Sequence, residues 1–208
     1  MDPQSDPGRV GSGRRSEQKE NYMRVIAGTA RSLQLKTPQG METRPTTDRI
    51  KETLFNILAP EIPDSDFLDL FSGSGGIGIE ALSRGANRAW FVDNSRAAVK
   101  VIQENLEHTR FSDRAEVLGQ DVTGAIRMLE SRHGAFDVIF MDPPYRKNLE
   151  QQALQALAQS PLADEDTLIV VESGLDTNFD YIEQMGYEIR RIKEYKTNKH
   201  TFIYKAAH

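Results

Sequence analysis

Short apolar runs alternate with segments of helical spacing along most of the chain. The apolar runs predict five strands, with the sequences FLDLF, RAWFV, AEVLG, FDVIFM and TLIVVE. The spacing of apolar positions between them predicts helices over 77–83, 97–108, 122–131 and 149–158. Strands that alternate with crossover helices are typical of a parallel sheet covered by helices. The pattern therefore predicts an α/β fold.

The two ends of the chain follow a different pattern. After Gly186, two extended runs on either side of a Thr-Asn-Lys-His turn predict an antiparallel hairpin that closes the sheet. Near the start, apolar patches around Val25 and Leu33 enclose a glycine-containing turn and predict a small hairpin. The segment 44–48 supplies a proline followed by Thr and Asp, which indicates the start of a helix.

These patterns divide the chain into three segments. Residues 1–22 hold too few apolar groups to form a core, so we interpret them as a disordered leader or a remnant of cloning, without an assigned role. Residues 23–63 form the predicted hairpin-and-helix extension. Residues 64–208 form the predicted main domain, in which the sheet and its helices lie.

Composition narrows the classes of protein to consider. The 208 residues, 38% of them hydrophobic, suit one domain with modest additions. The sequence has neither an apolar stretch of about 18 residues nor an apolar secretory signal, so we expect a cytoplasmic protein. It has no cysteine, which excludes disulfides, thiolate metal sites and cysteine nucleophiles. The four histidines lack metal-ligand spacing, and no metal is expected.

The charge is distributed unevenly. The net charge of -5 argues against a nucleic-acid partner, because Lys and Arg carry most phosphate binding. Segment 23–58, however, carries +3, segment 186–208 carries +4, and the centre, 59–185, carries -12. The net negative charge is therefore compatible with nucleic-acid binding at the two basic ends. The acidic centre favours a cationic ligand.

A glycine-rich loop follows the first main-domain strand, in the sequence DLFSGSGGIG. Glycines permit positive φ angles and let a ligand approach the backbone at the start of the next helix. The string also fits the G-x-G-x-x-G pattern of dinucleotide sites. Asp69, however, comes four residues before the first glycine of this loop. A carboxylate there would repel a pyrophosphate and could pair with an ammonium group.

Two further acidic residues follow the next strands. Asp93 lies about 20 residues beyond the loop, where a carboxylate can accept both ribose hydroxyls of an adenosine. Asp121 follows the third strand and could accept the adenine amino group. A single Asp at a strand end is often a helix cap. Three of them beside one glycine loop fit S-adenosyl-L-methionine, a cation without phosphate, better than NAD.

The fourth strand leads directly into Asp142-Pro143-Pro144-Tyr145. Prolines have no N–H donor, so the main-chain carbonyls are left as acceptors. Asp142 and the Pro143 carbonyl could each accept one hydrogen of an exocyclic amino group and aim its lone pair at the methyl carbon of the sulfonium. Tyr145 could stack on the base, a contact worth about 1–3 kcal/mol. This chemistry works by positioning and electrostatics.

The chain resembles the RsmD-type 16S ribosomal RNA guanine-N2 methyltransferases from residue 23 to about residue 204. The resemblance rests on the glycine loop, the Asp-Pro-Pro-Tyr motif and the strings MRVIAG, RPTTDR and ETLFN. It implies a Rossmann-like seven-stranded class I methyltransferase sheet with a reversed C-terminal hairpin. It also implies methylation, by S-adenosyl-L-methionine, of one guanosine N2 amino group on an assembled or nearly assembled small ribosomal subunit. Ribosomal proteins near the target are then partners, and we expect a monomer away from membranes.

The resemblance also implies roles for individual residues. Asp142, Pro143, Pro144 and Tyr145 would hold and stack the guanine. The cofactor site would consist of Asp69, Phe71, Gly73, Ser74, Gly75, Asp93, Asn94, Asp121 and Val122, with Thr46 and Arg49 near its methionine end or the incoming base. The basic residues that could follow RNA phosphates are Arg24, Arg31, Lys36, Arg44, Arg146, Lys147, Lys196 and Lys199.

Other functions share parts of this pattern. An adenine-N6 DNA methyltransferase and a protein glutamine methyltransferase both use a Pro-Pro-aromatic loop. The chain is small for a DNA enzyme with its own target-recognition domain, and glutamine methylation usually goes with Asn before the prolines. A non-catalytic RNA chaperone that binds S-adenosyl-L-methionine is a third alternative, and the intact motif at 142–145 argues against it. The choice of RNA over DNA rests mainly on the resemblance.

Overall fold

The structure, a computed structural model, describes residues 23–38 and 48–206. The leader 1–22 and the predicted site residues Arg44 and Thr46 lie outside the described residues. Within the described part of the chain, no helix is both long and apolar enough to cross a membrane.

Seven strands form one mixed sheet, and two short strands form the predicted N-terminal hairpin. The strands are β1 (Met23–Arg24), β2 (Gln34–Leu35), β3 (Asp66–Leu70), β4 (Arg88–Val92), β5 (Ala115–Leu118), β6 (Val138–Met141), β7 (Leu168–Gly174), β8 (Tyr187–Glu194) and β9 (Asn198–Lys205). The order in the large sheet is β5-β4-β3-β6-β7-β9-β8. The five strands from β5 to β7 run parallel, whereas β9 is antiparallel to both its neighbours. The predicted class I sheet with a reversed C-terminal hairpin is thus confirmed.

Helices cover both faces of this sheet. They are α1 (Asp48–Ile57), α2 (Gly76–Ser83), α3 (Arg96–Thr109), α4 (Val122–Glu130) and α5 (Leu149–Ala158), with short 3-10 turns at Ser112–Arg114 and Glu183–Met185. Side chains alternate between the faces of a strand. Val138 and Phe140 of β6 therefore pack with α1, α2 and α3, whereas Ile139 and Met141 pack with α4 and α5. Each face has its own apolar core.

A buried ion pair ties the N-terminal extension to the main sheet. The carboxylate of Glu80 on α2 accepts hydrogen bonds from the backbone N–H groups of Ile26, at 2.8 Å, and Ala27, at 3.0 Å. Its Oε2 also lies 3.2 Å from the Nζ of Lys51 on α1, and neither side chain is exposed. The extension is therefore held against α2, directly beside the glycine loop.

Candidate functional site

A cleft of about 1410 Å³ opens where the parallel strands end. Because the carboxyl ends of parallel strands meet at one edge of a sheet, the loops after all five parallel strands contribute to it. The extension and the β8–β9 turn complete its wall. Sequence patterns did not indicate the contributions of Met23, Thr37, Pro38, Ile50, Ser72, Gln120, Thr123, Phe140, Leu149, Gln152, Ala153, Glu172, Gly174, Leu175, Asp176, Thr197 and Asn198.

The glycine loop forms one side of the cleft. Phe71 leaves the strand with a φ of 62°, so β3 ends one residue earlier than the apolar run suggests. The backbone N–H of Gly73 then donates to Asp93 Oδ2 at 2.9 Å. A Cβ on Gly78 would lie 2.4 Å from the ring of Phe91, so only glycine allows α2 to pack this closely on β4.

Gly75, a predicted cofactor-binding residue, does not line the cleft. The cleft wall includes Gly73, Ser74 and Gly76 but not Gly75. Gly75 faces the protein interior, where an added Cβ would lie 3.4 Å from Ile102 and Phe91, and it has a φ of 77°. Its positive φ joins the loop to α2.

Asp69 lies on the floor of the cleft, 1% exposed. Its Oδ2 accepts a hydrogen bond of 3.0 Å from the backbone N–H of Gly78. Burial raises the pKa of Asp69 to about 7, although the Gly78 N–H opposes this shift, and the charge of Asp93 adds to it. A cation bound in the cleft would relieve this penalty, which fits the ammonium of an amino acid.

Asp93 and Asp121 present carboxylates farther along the same wall. Asp93 is 9% exposed and accepts hydrogen bonds from the backbone N–H groups of Gly73 and Ser95, one on each oxygen. One lone pair on each oxygen is left for a ligand. Asp121 caps α4 through the N–H of Gly124 at 2.9 Å and also lines the cleft. The cap and the ligand-binding role are therefore compatible. Asn94 and Val122 lie on the wall beside them.

The Asp-Pro-Pro-Tyr loop forms the opposite side of the cleft. All four residues line it, and Tyr145 is 39% exposed. Asp142 is half-buried directly after β6. Burial raises the pKa of Asp142 well above its ordinary value, and the charges of Glu172 and Asp69 raise it further. Asp142 therefore lies between two other carboxylates on neighbouring strands.

Glu172 is a functional candidate that the sequence patterns missed. It lies near the end of β7, is 5% exposed and lines the cleft. Its Oε1 accepts a hydrogen bond of 2.7 Å from Asn198 Nδ2, and its Oε2 lies 3.0 Å from His200 Nε2. The hydroxyl of Tyr195 lies 3.2 Å from the other ring nitrogen of His200. A charged residue that ends the apolar run TLIVVE was the available signal.

Several predicted phosphate contacts lie at the rim of the cleft. Arg146 and Lys147 line the cleft, and Lys196 is exposed on the β8–β9 turn. Arg24 and Lys36 lie on the extension, each next to a residue of the cleft wall and each in an exposed ion pair. Surface ion pairs of this kind contribute little to stability. The ion pairs of Arg24 and Lys36 therefore do little to hold these two cations in place.

Arg31 and Lys199 do not lie where a contact with RNA phosphates at the rim of the cleft would require. The N–H of Ala30 bonds to Ser83 at the far end of α2, which places Arg31 about 12 Å of helix away from the glycine loop. Lys199 is only 8% exposed, and its ammonium donates to the carbonyls of Leu175 and Thr177. We therefore remove Arg31 and Lys199 from the proposed RNA contacts.

Arg49 is another predicted site residue that does not line the cleft. It is exposed on α1 and is absent from the cleft wall, whereas the adjacent Ile50 lines the cleft. Since α1 turns by about 100° per residue, a one-residue error in the choice of helix position moves a side chain from the cleft to solvent.

The sheet order, the reversed last strand, the glycine loop and the acidic cleft define a class I methyltransferase. A family model described as "Conserved hypothetical protein 95" matches residues 23–205. The chain belongs to this family, that of the RsmD-type methyltransferases.

Individual relatives and solved structures agree with this assignment. The chain is 38% identical over 155 residues to "Ribosomal RNA small subunit methyltransferase D" of Haemophilus influenzae, covering 74% of this chain and 80% of that protein. It is 37% identical over 172 residues to "Putative rRNA methyltransferase YlbH" of Bacillus subtilis, covering 83% and 92%. The solved structure of "Putative methyltransferase yhhF from Escherichia coli" has a TM-score of 0.75 and 31% identity, covering 90% of this chain and all of that one.

Proposed function

We propose that the protein transfers the methyl group of S-adenosyl-L-methionine to the N2 amino group of a guanosine in 16S ribosomal RNA. The observation that carries the proposal is the arrangement of Asp69, Asp142 and Glu172 on adjacent strands that face one cleft. The relatives named ribosomal RNA small subunit methyltransferase D support RNA as the substrate class.

The cleft suits a cofactor that is cationic and carries no phosphate. Asp69 would hold the ammonium group, Asp93 the ribose hydroxyls and Asp121 the adenine amino group. Gly73 leaves open space where a Cβ would stand, so the cofactor can approach the backbone there. When bound, S-adenosyl-L-methionine supplies an electrophilic methyl carbon.

The Asp-Pro-Pro-Tyr loop would hold the acceptor base. Asp142 and the carbonyl of Pro143 each accept one hydrogen of the amino group, which turns the nitrogen lone pair toward the cofactor. Tyr145 stacks on the base. As the N–C bond forms and the S–C bond breaks, the nitrogen acquires a positive charge and must lose a proton. The raised pKa of Asp142 suits it to accept that proton.

The basic rim would bind the RNA backbone around the inserted base. Arg146 and Lys147 follow the Asp-Pro-Pro-Tyr loop, Lys196 lies on the β8–β9 turn, and Arg24 and Lys36 lie on the extension. Such contacts fix position, whereas the cleft would read the base. We expect the substrate to be an assembled or nearly assembled small subunit in the cytoplasm, with ribosomal proteins beside a monomeric enzyme.

The test is to identify the methylated product. The protein is incubated with labelled S-adenosyl-L-methionine and, separately, with small ribosomal subunits, naked ribosomal RNA, duplex DNA and a glutamine-containing protein. The products are then digested and analysed by mass spectrometry. N2-methylguanosine from the subunits supports the proposal. Label only in N6-methyladenine of DNA, only in glutamine, or in none of the substrates would overturn it.

A further inference from the structure

Glu172 lies beside the proposed acceptor loop on the next strand of the sheet. Met141 of β6 pairs with Val171 of β7 in parallel register, so Asp142, the first residue after β6, comes level with Glu172 of β7. Side chains at matching positions face the same side of a sheet, and adjacent strands lie about 4.8 Å apart. Both residues line the cleft. The two side chains therefore face the same cleft, and the charge of Glu172 acts on Asp142.

Glu172 is held in place from the C-terminal hairpin. Asn198 donates to one of its carboxylate oxygens at 2.7 Å, and His200 lies 3.0 Å from the other. Asn198 and His200 are 5% and 0% exposed, so neither side chain can move freely. Fixed partners on both oxygens keep the carboxylate in a single orientation, which suits recognition better than proton transfer alone.

Asn198 adds an acceptor, its side-chain Oδ1, to which no described residue donates. The hydrogen bond from Nδ2 to Glu172 fixes the orientation of the Asn198 amide. The amide oxygen Oδ1 therefore points away from Glu172. This Oδ1 is buried and has no hydrogen-bond partner among the described residues, although Asn198 lines the cleft. A buried acceptor without a donor costs about 1–3 kcal/mol. The wall near Asp142 therefore offers acceptors to a ligand that carries N–H donors.

Guanine carries the matching donors. Its N2 amino group and its N1–H lie side by side, and Asp142 and Pro143 would use only the amino hydrogens. Adenine, by contrast, has a lone pair at N1, which a carboxylate would repel.

We propose that Glu172, oriented by Asn198 and His200, accepts the N1–H of the target guanine and thereby selects guanine. This inference rests on the proposed function. It assigns specificity to a residue outside the Asp-Pro-Pro-Tyr motif.

The test compares two bases that share the methyl-accepting group. Small subunits are prepared with either guanosine or 2-aminopurine riboside at the position found to be modified. The analogue keeps the 2-amino group but has a lone pair at N1 and nothing at position 6. We expect the wild-type protein to prefer guanosine by at least about 100-fold in kcat/KM, since a site built for an N–H rejects a base that lacks it.

The variant Glu172→Gln keeps the shape of the side chain and replaces one acceptor oxygen with a donor group. Its amide can donate to the N1 lone pair of the analogue. We expect kcat/KM to fall about tenfold or more on guanosine and to change little on 2-aminopurine, so that the preference narrows by about tenfold. Ser173→Ala is the matched control. Its buried hydroxyl also has no partner within the described part of the chain, but it lies at the next strand position, on the other face. It should keep the wild-type preference.

The outcomes separate the two proposals. If the wild-type protein forms no N2-methylguanosine, the proposed function is wrong. If it forms N2-methylguanosine but methylates 2-aminopurine equally well, the role of Glu172 is overturned and the function stands; this comparison needs no variant to fold. An unchanged preference in folded Glu172→Gln, checked by its thermal unfolding and cofactor affinity, would also overturn it.

Discussion

Lys51 and Glu80 form an ion pair of 3.2 Å in which both side chains are completely buried. The ammonium of Lys51 also donates to the backbone carbonyl of Arg24. Burial lowers the pKa of Lys51, and the carboxylate of Glu80 opposes that shift. The pair joins α1, α2 and the N-terminal hairpin, which together support one wall of the cleft. Its loss should therefore affect both stability and cofactor binding.

Lys51→Met should destabilise the protein by about 3 kcal/mol. Removing one partner of a buried ion pair typically costs about 3–5 kcal/mol. The backbone N–H groups and the Arg84 side chain that still bond to Glu80 place the effect at the lower end. The free energy of unfolding in urea measures it. Lys100→Met is the control, because Lys100 forms an exposed pair of 3.9 Å with Glu104 and should change stability by less than about 1 kcal/mol. Equal effects would contradict our view of the buried pair.

The fold followed from the sequence because it depends on local periodicity. Alternating apolar runs and helical spacing predicted the parallel strands, and the extended ends predicted both hairpins. The burial of individual charged residues could not be predicted from the sequence. Lys51 contributes to the +3 charge of segment 23–58, but its partner Glu80 lies 29 positions away in the chain. Burial of this kind depends on tertiary contacts, which a pattern within one segment does not contain.

Gly78→Ala should displace α2. The added Cβ would lie 2.4 Å from the ring of Phe91, which cannot move away because it is fully buried. Overpacking of this kind costs about 1–3 kcal/mol, and the shift should also weaken cofactor affinity because the glycine loop leads directly into α2. Urea unfolding and isothermal titration with S-adenosyl-L-methionine measure the two effects. Gly134→Ala, where a Cβ meets no atom of the described residues within 4 Å, should change neither.

Asp69 should make stability depend on pH. Its pKa of about 7 in the folded protein exceeds the ordinary value of 3.8. The folded state therefore holds the proton more tightly than the unfolded chain. This stabilisation is complete below the ordinary pKa and is lost as the pH rises through about 7.

Asp69→Asn removes this dependence and can still accept the N–H of Gly78. Relative to wild type, the variant should become more stable by about 2–3 kcal/mol between about pH 5 and about pH 8. Urea unfolding of both proteins at each pH gives this difference, in which the other titrating groups largely cancel. Cofactor affinity of the wild type should rise over the same range, because ionised Asp69 attracts the ammonium. A difference that does not vary with pH would refute the raised pKa.

Asp142→Ala should separate catalysis from cofactor binding. Loss of one group that orients a reacting atom typically lowers kcat by about 100-fold to 1000-fold. The affinity for S-adenosyl-L-methionine should stay within about threefold, since Asp69 and Asp93 carry the cofactor contacts. Single-turnover kinetics and isothermal titration measure the two quantities. Asp113→Ala, in the exposed turn before β5, should alter neither. A collapse of cofactor affinity would contradict the assigned roles.

The candidate site was predictable where a motif marks a strand end. Asp69, Asp93, Asp121 and Asp142 all lie on the cleft, because parallel strands bring their carboxyl ends together. Glu172 could not be predicted in the same way, since its orientation depends on Asn198 and His200 from an antiparallel strand that follows much later in the chain.

Lys196→Glu should weaken RNA binding and reduce its dependence on salt. Each phosphate contact releases a counterion, so loss of one contact lowers the slope of log affinity against log salt by about 1. Arg31→Glu is the matched control: it makes the same change of charge on an exposed residue, but at the far end of α2. Its slope should stay near that of the wild type, because exposed charges more than about 10 Å apart are largely screened. Affinities for the modified RNA region at several salt concentrations measure both slopes. Equal slopes for the two variants would mean that overall charge, rather than the rim of the cleft, determines binding.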